Sequence, residues 1–125
     1  MAATTRADTL ADHALGLPQA WQDFPWEGDR VAKVGKKIFA FLATDDAGRL
    51  GVKLPHSGGF ALSLACVTPM PYGLGRHGWV TVLLQGEDEP DDDVLRDWIT
   101  ESYRAIAAKT VVRLLDARYG NDFSR

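Results

Sequence analysis

The sequence predicts an α+β fold of two layers, an antiparallel β-sheet with helices packed on one face. Three observations carry this expectation. Strand-like segments at residues 30–34, 37–44 and 49–54 follow one another across short turns. Turns that short join antiparallel neighbours, because a parallel crossover needs a dozen or more residues. An apolar stripe at helical spacing occupies residues 91–119, and another helix with signals at both ends precedes the strands. The expected order is α-β(3)-α-β(1-2)-α. A chain of 125 residues with no repeat, low-complexity tract or linker is expected to be a single domain, residues 1–125.

The first helix opens at Thr5, three residues before Asp8, the spacing of a capping box with Asp in place of Glu. Ala7, Leu10, Ala11, Ala14 and Leu15 form its apolar face, and Gly16 with Pro18 ends it. Trp21, Phe24, Pro25 and Trp26 then make a loop too aromatic to lie wholly in water. It is expected to fold back on the core as a lid or brace.

Residues 30–34 and 37–44 meet across Gly35-Lys36, with glycine first, as a type II′ turn prefers. Strict alternation puts Ile38, Ala40 and Leu42 on one face and Phe39 and Phe41 on the other. One face meets the helices. The other needs cover, most simply from the aromatic loop and next from a second copy of the chain. Asp45-Asp46-Ala47-Gly48 is the next turn, and Pro55 stops the third strand.

Residues 57–66 read as a short helix weakened by Gly58 and Gly59. Residues 67–75 are a Pro- and Gly-rich loop with room for a short edge strand. In the strand at 77–84, Val80, Val82 and Leu84 point one way, and His77, Trp79, Thr81 and Leu83 the other. The acidic turn at 85–89 leads to the last helix, whose first turn holds Asp91, Asp92 and Asp93, where the helix dipole favours them. Its stripe is Val94, Trp98, Ala105, Ala108, Val112, Leu115 and Tyr119, interrupted only by Ser102, with a bend or break expected near Lys109-Thr110.

Composition narrows the function classes. Hydrophobic residues at 46% and charged residues at 25% are ordinary for a soluble domain. No apolar run approaches the ~20 residues that span a bilayer, so no membrane partner is expected. The N-terminus has no apolar signal core. The lone Cys66 forms no internal disulfide and fits a reducing cytoplasm. A net charge of −3 opposes strong non-specific nucleic-acid binding, which draws on Lys and Arg. A local basic patch has to supply any such binding.

Lys33, Lys36, Lys37, Lys53 and Arg76 are the best basic set, with Lys36 and Lys37 at the hairpin tip. Lys33 and Lys53 are expected to share the helix-free sheet face with Trp79, beside His77, an arrangement suited to phosphate contact and base stacking. The plainer reading is that these lysines solubilise the sheet and protect its edges. Gly73-Leu74-Gly75-Arg76-His77-Gly78 is a literal G-x-G-x-x-G. A dinucleotide loop needs a strand before it and a helix after it. Here a proline-rich loop precedes and a strand follows, so a flexible turn is expected, with Arg76 beside bare amides as an anion contact. Cys66 with His56 or His77 lacks an orienting third residue and reads as a small buried hydrophobe. His13, His56 and His77 lack metal-site spacing, and residues 87–93 lack a calcium-loop pattern. No metal, cofactor or catalytic role is expected.

Several short segments, taken together and in order, resemble the MmcQ/YjbR family of small bacterial proteins. They are Asp23-Phe24-Pro25-Trp26, Lys33-Val34-Gly35-Lys36-Lys37-Ile38-Phe39-Ala40, Leu50-Gly51-Val52-Lys53-Leu54-Pro55, Arg76-His77-Gly78-Trp79-Val80-Thr81-Val82 and Ser102-Tyr103, with Lys109 beyond. The resemblance covers roughly residues 15–109. It implies a two-layer fold with an antiparallel sheet, no cofactor, and DNA binding. Two features depart from the family pattern. Thr110-Val111-Val112 stands where a Lys-Leu-Pro break is expected, and the connection from His56 to Cys66 is short.

The expected function is therefore weak, salt-dependent DNA binding by a non-enzymatic cytoplasmic protein. Its site is the hairpin tip and basic sheet face: Lys33, Lys36, Lys37, Lys53, Arg76, His77 and Trp79. The alternative is a protein- or small-molecule-binding module. It would use an aromatic pocket of Trp21, Phe24, Trp26, Phe39 and Phe41 under the loop, or pair as a homodimer.

Overall fold

A computed structural model describes residues 5–26, 28–44, 48–85 and 89–118 of the chain. Helix α1 (Arg6–Leu15) is followed by strands β1 (Ala20–Asp23), β2 (Arg30–Val34), β3 (Lys37–Leu42) and β4 (Arg49–Lys53). Then come α2 (Gly58–Leu62), β5 (Val67–Pro69), a 3₁₀ turn (Leu74–His77), β6 (Trp79–Leu83), α3 (Asp92–Ile106) and α4 (Lys109–Arg118). The described strands form one sheet in the order β1-β2-β3-β4-β6-β5, and every pairing is antiparallel. The two-layer α+β expectation holds. Residues 45–47 of the turn expected at 45–48, residues 86–88 of the turn expected at 85–89, and the stripe residue Tyr119 lie outside the described residues.

Local chemistry sets the boundaries. Thr5 caps α1, its Oγ1 accepting the Asp8 N–H at 3.1 Å. Ala7, Leu10, Ala11 and Ala14 are buried, as their spacing predicts. Asp91 caps α3 in the same way by accepting the Val94 N–H. The helical layer covers the sheet face that carries Ala32, Val34, Ala40, Leu42, Leu50, Val52, Val80 and Val82, all in the core.

Five expectations are corrected. The aromatic stretch is not a lid. After Gln19 turns the chain at φ 60°, residues 20–23 add β1 to the outer edge of β2 and pair its backbone polar groups. Trp21, Phe24 and Trp26 remain 44%, 62% and 56% exposed. The helix expected at 57–66 shrinks to Gly58–Leu62, and the strand expected at 77–84 shortens to Trp79–Leu83, with His77 in the 3₁₀ turn. The C-terminal stripe divides at Ala107, whose φ of −67° and ψ of 149° are extended. The break thus falls at Ala107-Ala108 and α4 begins at Lys109. The buried face of α3 is Leu95, Trp98, Ile99, Ser102 and Tyr103, while Ala105 and Ala108 face outward.

The fifth correction is in β3. Ala32 pairs with Ala40 and Lys33 with Ile38, so Phe39 is an extra residue, a β-bulge. The bulge breaks the alternation. Phe39 joins Ala40 and Leu42 in the core and meets Tyr103 edge-on at 5.2 Å. Phe41 faces the other way, 5.6 Å from Trp79. Beyond the bulge Ile38 shares a face with Lys33, and Lys37 pairs with the core residue Val34.

Ser102 of α3 holds this irregularity. The β3–β4 ladder registers Phe41 with Gly51 and Ala40 with Val52, then stops. At the next position the Ser102 hydroxyl accepts the Lys53 N–H at 2.8 Å and donates to the Phe39 carbonyl at 2.6 Å. One buried hydroxyl satisfies both backbone groups. Ser102→Ala leaves both without that partner and is expected to cost about 2–4 kcal/mol. Urea melts check it; a loss under about 0.5 kcal/mol shows that the two groups find other partners.

Candidate nucleic-acid interface

One end of the molecule collects the β2–β3 turn, the end of β4, the start of β6 and the α3–α4 junction. Lys53 lies opposite Trp79 in the ladder, and the Leu54 N–H donates to Gly78 O at 2.8 Å. A cavity of about 480 Å³ separates the hairpin tip from Ala105–Lys109 of the helical layer.

The tip is braced. Gly35 takes φ 62°, the positive value needed at the first position of its turn, and its missing side chain leaves open space. Trp21 Nε1 donates to Gly35 O at 2.9 Å, fastening β1 to the turn. Lys33 Nζ lies 5.1 Å from the centre of the Trp21 ring and 2.8 Å from Asp23 Oδ2. The Lys33 hydrogen bond, aided by the Phe24 N–H, holds the Asp23 carboxyl below its usual range. Lys33 is thus already neutralised. Lys36 and Lys37 are exposed at the tip. Lys53 is half-buried on the open sheet face, next to Gly78. Arg76 and His77 are exposed on the 3₁₀ turn between Gly73 (φ 80°) and Gly78 (φ 89°). The segment after this glycine pattern is a strand, so it builds no helix-capped nucleotide loop.

Charge is divided along the molecule. Lys36, Lys37, Lys53, Arg76 and Lys109 form no ion pair among the described residues. Glu89, Asp91, Asp92 and Asp93 lie where α3 starts, and the helix that carries their charge away from the junction is about 22 Å long at 1.5 Å per residue. Arg6 anchors that opposite end. Its guanidinium pairs with Asp92 at 2.6 Å and Glu89 at 3.2 Å, and donates to Leu84 O at 2.7 Å and to Pro90 O.

The aromatic residues do not converge. Phe39 lies in the core and Phe41 on the opposite face, while Trp21 in β1 and Phe24 and Trp26 after it are exposed. Trp79 is only 8% exposed, packed on Phe41, and offers no free ring face for stacking. A Cβ at Gly51 would collide with Met70 Cε and lie 3.0 Å from Phe41 Cδ2, so the loop after β5 closes over this part of the open face. Cys66 is buried, and His13 is bonded to Thr100 Oγ1 at 2.8 Å. Among the described residues no group of His, Cys, Asp and Glu side chains is placed to hold a metal ion. No helix among them is long and apolar enough to cross a membrane.

Two residues that organise this end escaped sequence reasoning. Ser102 left a trace, since it alone interrupts an apolar stripe. Glu101 left none. Its carboxylate accepts the His56 and Ser57 N–H groups at 2.8 and 3.0 Å and the Ser57 hydroxyl at 2.6 Å, fixing the turn after β4 beside Lys53.

The described residues thus form a small antiparallel α+β fold with a braced basic hairpin. The chain belongs to the YjbR family, whose model matches residues 15–105. Its fold is similar to the crystal structure of Deinococcus radiodurans protein DR2400, which carries a DUF419 domain. The two share 26% identity at a TM-score of 0.68 over 86% of this chain and 81% of that one. Among curated proteins none matches this chain.

Burial raises the Glu101 carboxyl, but the Ser57 hydroxyl, the two amides and the nearby His56 outweigh it, so its value falls below the ordinary one. A lowered carboxylate value contributes stability that is present above the unfolded-state pKa and lost as pH falls through the folded one. Glu101→Gln is therefore expected to melt below wild type at neutral pH. The gap should close as pH drops beneath the ordinary glutamate range of about 4.3. Paired thermal melts across that range check it; a gap independent of pH points to lost packing instead.

Proposed function

We propose that this chain is a non-enzymatic, cytoplasmic DNA-binding module that grips the phosphate backbone with its hairpin end. One observation carries the reading. The cations Lys36, Lys37, Lys53 and Arg76 gather at one braced end with no ion pair among the described residues, while Glu89 and Asp91–93 gather at the other. Unpaired cations on a rigid support suit phosphate contact. Lys33, held by Asp23, and Trp79, buried on Phe41, drop out of the contact set. With a net charge of −3, affinity is low and salt-sensitive.

Titration of labelled duplex at low salt tests this. Wild type should bind, with log K falling against log salt at a slope of roughly −3 to −4 for about four phosphate contacts. The triple variant Lys36→Glu, Lys37→Glu, Arg76→Glu should lose binding and keep its melting temperature. Absence of wild-type binding, or equal binding by both proteins, removes the reading.

A second reading rests on the β1 edge. This strand is outermost among the described strands, with Trp21 exposed on it and Phe24 and Trp26 exposed just after it. An unpaired edge with an aromatic rim suits strand addition, most simply by a second copy of the chain. Sedimentation velocity should then show a dimer that Phe24→Asp dissociates. A wild-type monomer at high concentration rejects it.

A further inference from the structure

The cavity behind the hairpin tip has a lining that the tip alone does not explain. The Phe39 bulge reverses the facing of the residues before it, so Lys37 pairs with the core residue Val34 and turns toward the helical layer. Bulges commonly re-aim a side chain in this way. Across the gap, the extended Ala107 ends α3 and lets the chain restart as α4 at Lys109. The space between is about 480 Å³, walled by Lys36, Lys37 and Lys109, with Val34, Ile106 and Ala107 as its apolar side.

Three ammonium-bearing residues thus line one cavity, none with an ion pair among the described residues. The like charges repel, more strongly beside an apolar wall than in open water. Lys109 also sits at the start of a helix, where the dipole disfavours a cation. Both effects are relieved by an anion between the lysines.

We propose that this cavity seats a phosphate group of the DNA backbone, and that Lys109 is a phosphate-binding residue alongside Lys36 and Lys37. The inference rests on the DNA-binding reading and adds the helical layer to it. The duplex then contacts the end of the molecule on both sides of the hairpin, with Arg76 and Lys53 on the open-face side and Lys109 on the helix side.

The test is a salt titration of labelled duplex against wild type, Lys109→Gln, Lys109→Arg and Arg96→Gln. Arg96 pairs with Asp93 near the opposite end and controls for the loss of one positive charge. Lys109→Gln is expected to weaken low-salt binding by about three- to tenfold on any duplex sequence and to make the salt slope shallower by about 0.9. Lys109→Arg should keep the wild-type slope, and Arg96→Gln should leave slope and affinity nearly unchanged. Wild-type binding with an unchanged slope in Lys109→Gln overturns the cavity assignment and leaves the DNA reading standing. An equal loss in Arg96→Gln also overturns it, because the effect is then one of total charge. No binding by wild type removes the DNA reading and this inference together.

Discussion

The basic end is organised around one buried hydroxyl. Ser102 reaches from α3 into the gap where the β3–β4 ladder stops, its hydroxyl accepting from the Lys53 N–H and donating to Phe39 O. A buried backbone group without a partner costs about 1–3 kcal/mol, so an apolar residue here would leave the bulge unsupported. The bulge in turn places Phe39 against Tyr103, separates it from Phe41 and turns Lys37 toward the helices. Tyr103 continues the chain of contacts, its hydroxyl donating to Pro18 O at 2.8 Å and so tying α3 to the segment after α1. Sheet, helix and hairpin are linked through two adjacent residues of one helix turn.

That linkage supports cations that have no ion-pair partner among the described residues. Repulsion between solvent-facing ammonium groups is weakened by water, and the buried core on the helical side holds the end together against it. The paired charges hold the helices together. Arg6 closes the acidic end across α1, α3 and the segment before α3, and Arg104 meets Asp116 at 2.9 Å to join α3 to α4. Lys33 stands between the two regimes. It lies on the open face near the tip, yet Asp23 and the Trp21 ring hold it as a brace for β1.

What the sequence made legible was local. The Gly35 turn, the Thr5 cap and the Gly16 stop depend on neighbours within a few residues, and each appears where its chemistry predicts. The alternation of Val80 and Val82 against Trp79 and Thr81 was equally readable, because β6 has no irregularity. Phe39 was not, because one extra residue reverses a period-two pattern and leaves no mark in composition. The lid reading of Trp21–Trp26 failed for a related reason. Aromatic content argues for burial, but an edge strand whose backbone is paired on one side can leave its rings half in water. At the candidate site the lysines could be placed on the hairpin from sequence, whereas the approach of Lys109, more than seventy residues later, depends on the break at Ala107.

The character of the tip bears on what kind of recognition it can support. Its charged side chains are Lys36 and Lys37, flexible point charges that follow a phosphate but discriminate poorly between base edges. The fork-shaped or amide side chains that read guanine or adenine in the major groove are missing from the turn itself. Arg76, the nearest guanidinium, lies on the glycine-flanked 3₁₀ turn, with its Nη2 3.3 Å from where a Gly73 Cβ would stand. The Trp21 bond to Gly35 and the Ser102 bridge order the hairpin during folding, so a ligand need not supply that ordering. On the DNA reading, a braced, lysine-tipped hairpin, with Trp79 buried on Phe41 and Trp21 engaged by Gly35 and Lys33, favours the spacing of phosphates over the sequence between them. On the DNA reading, shape and charge select the ligand, and an operator sequence is not required.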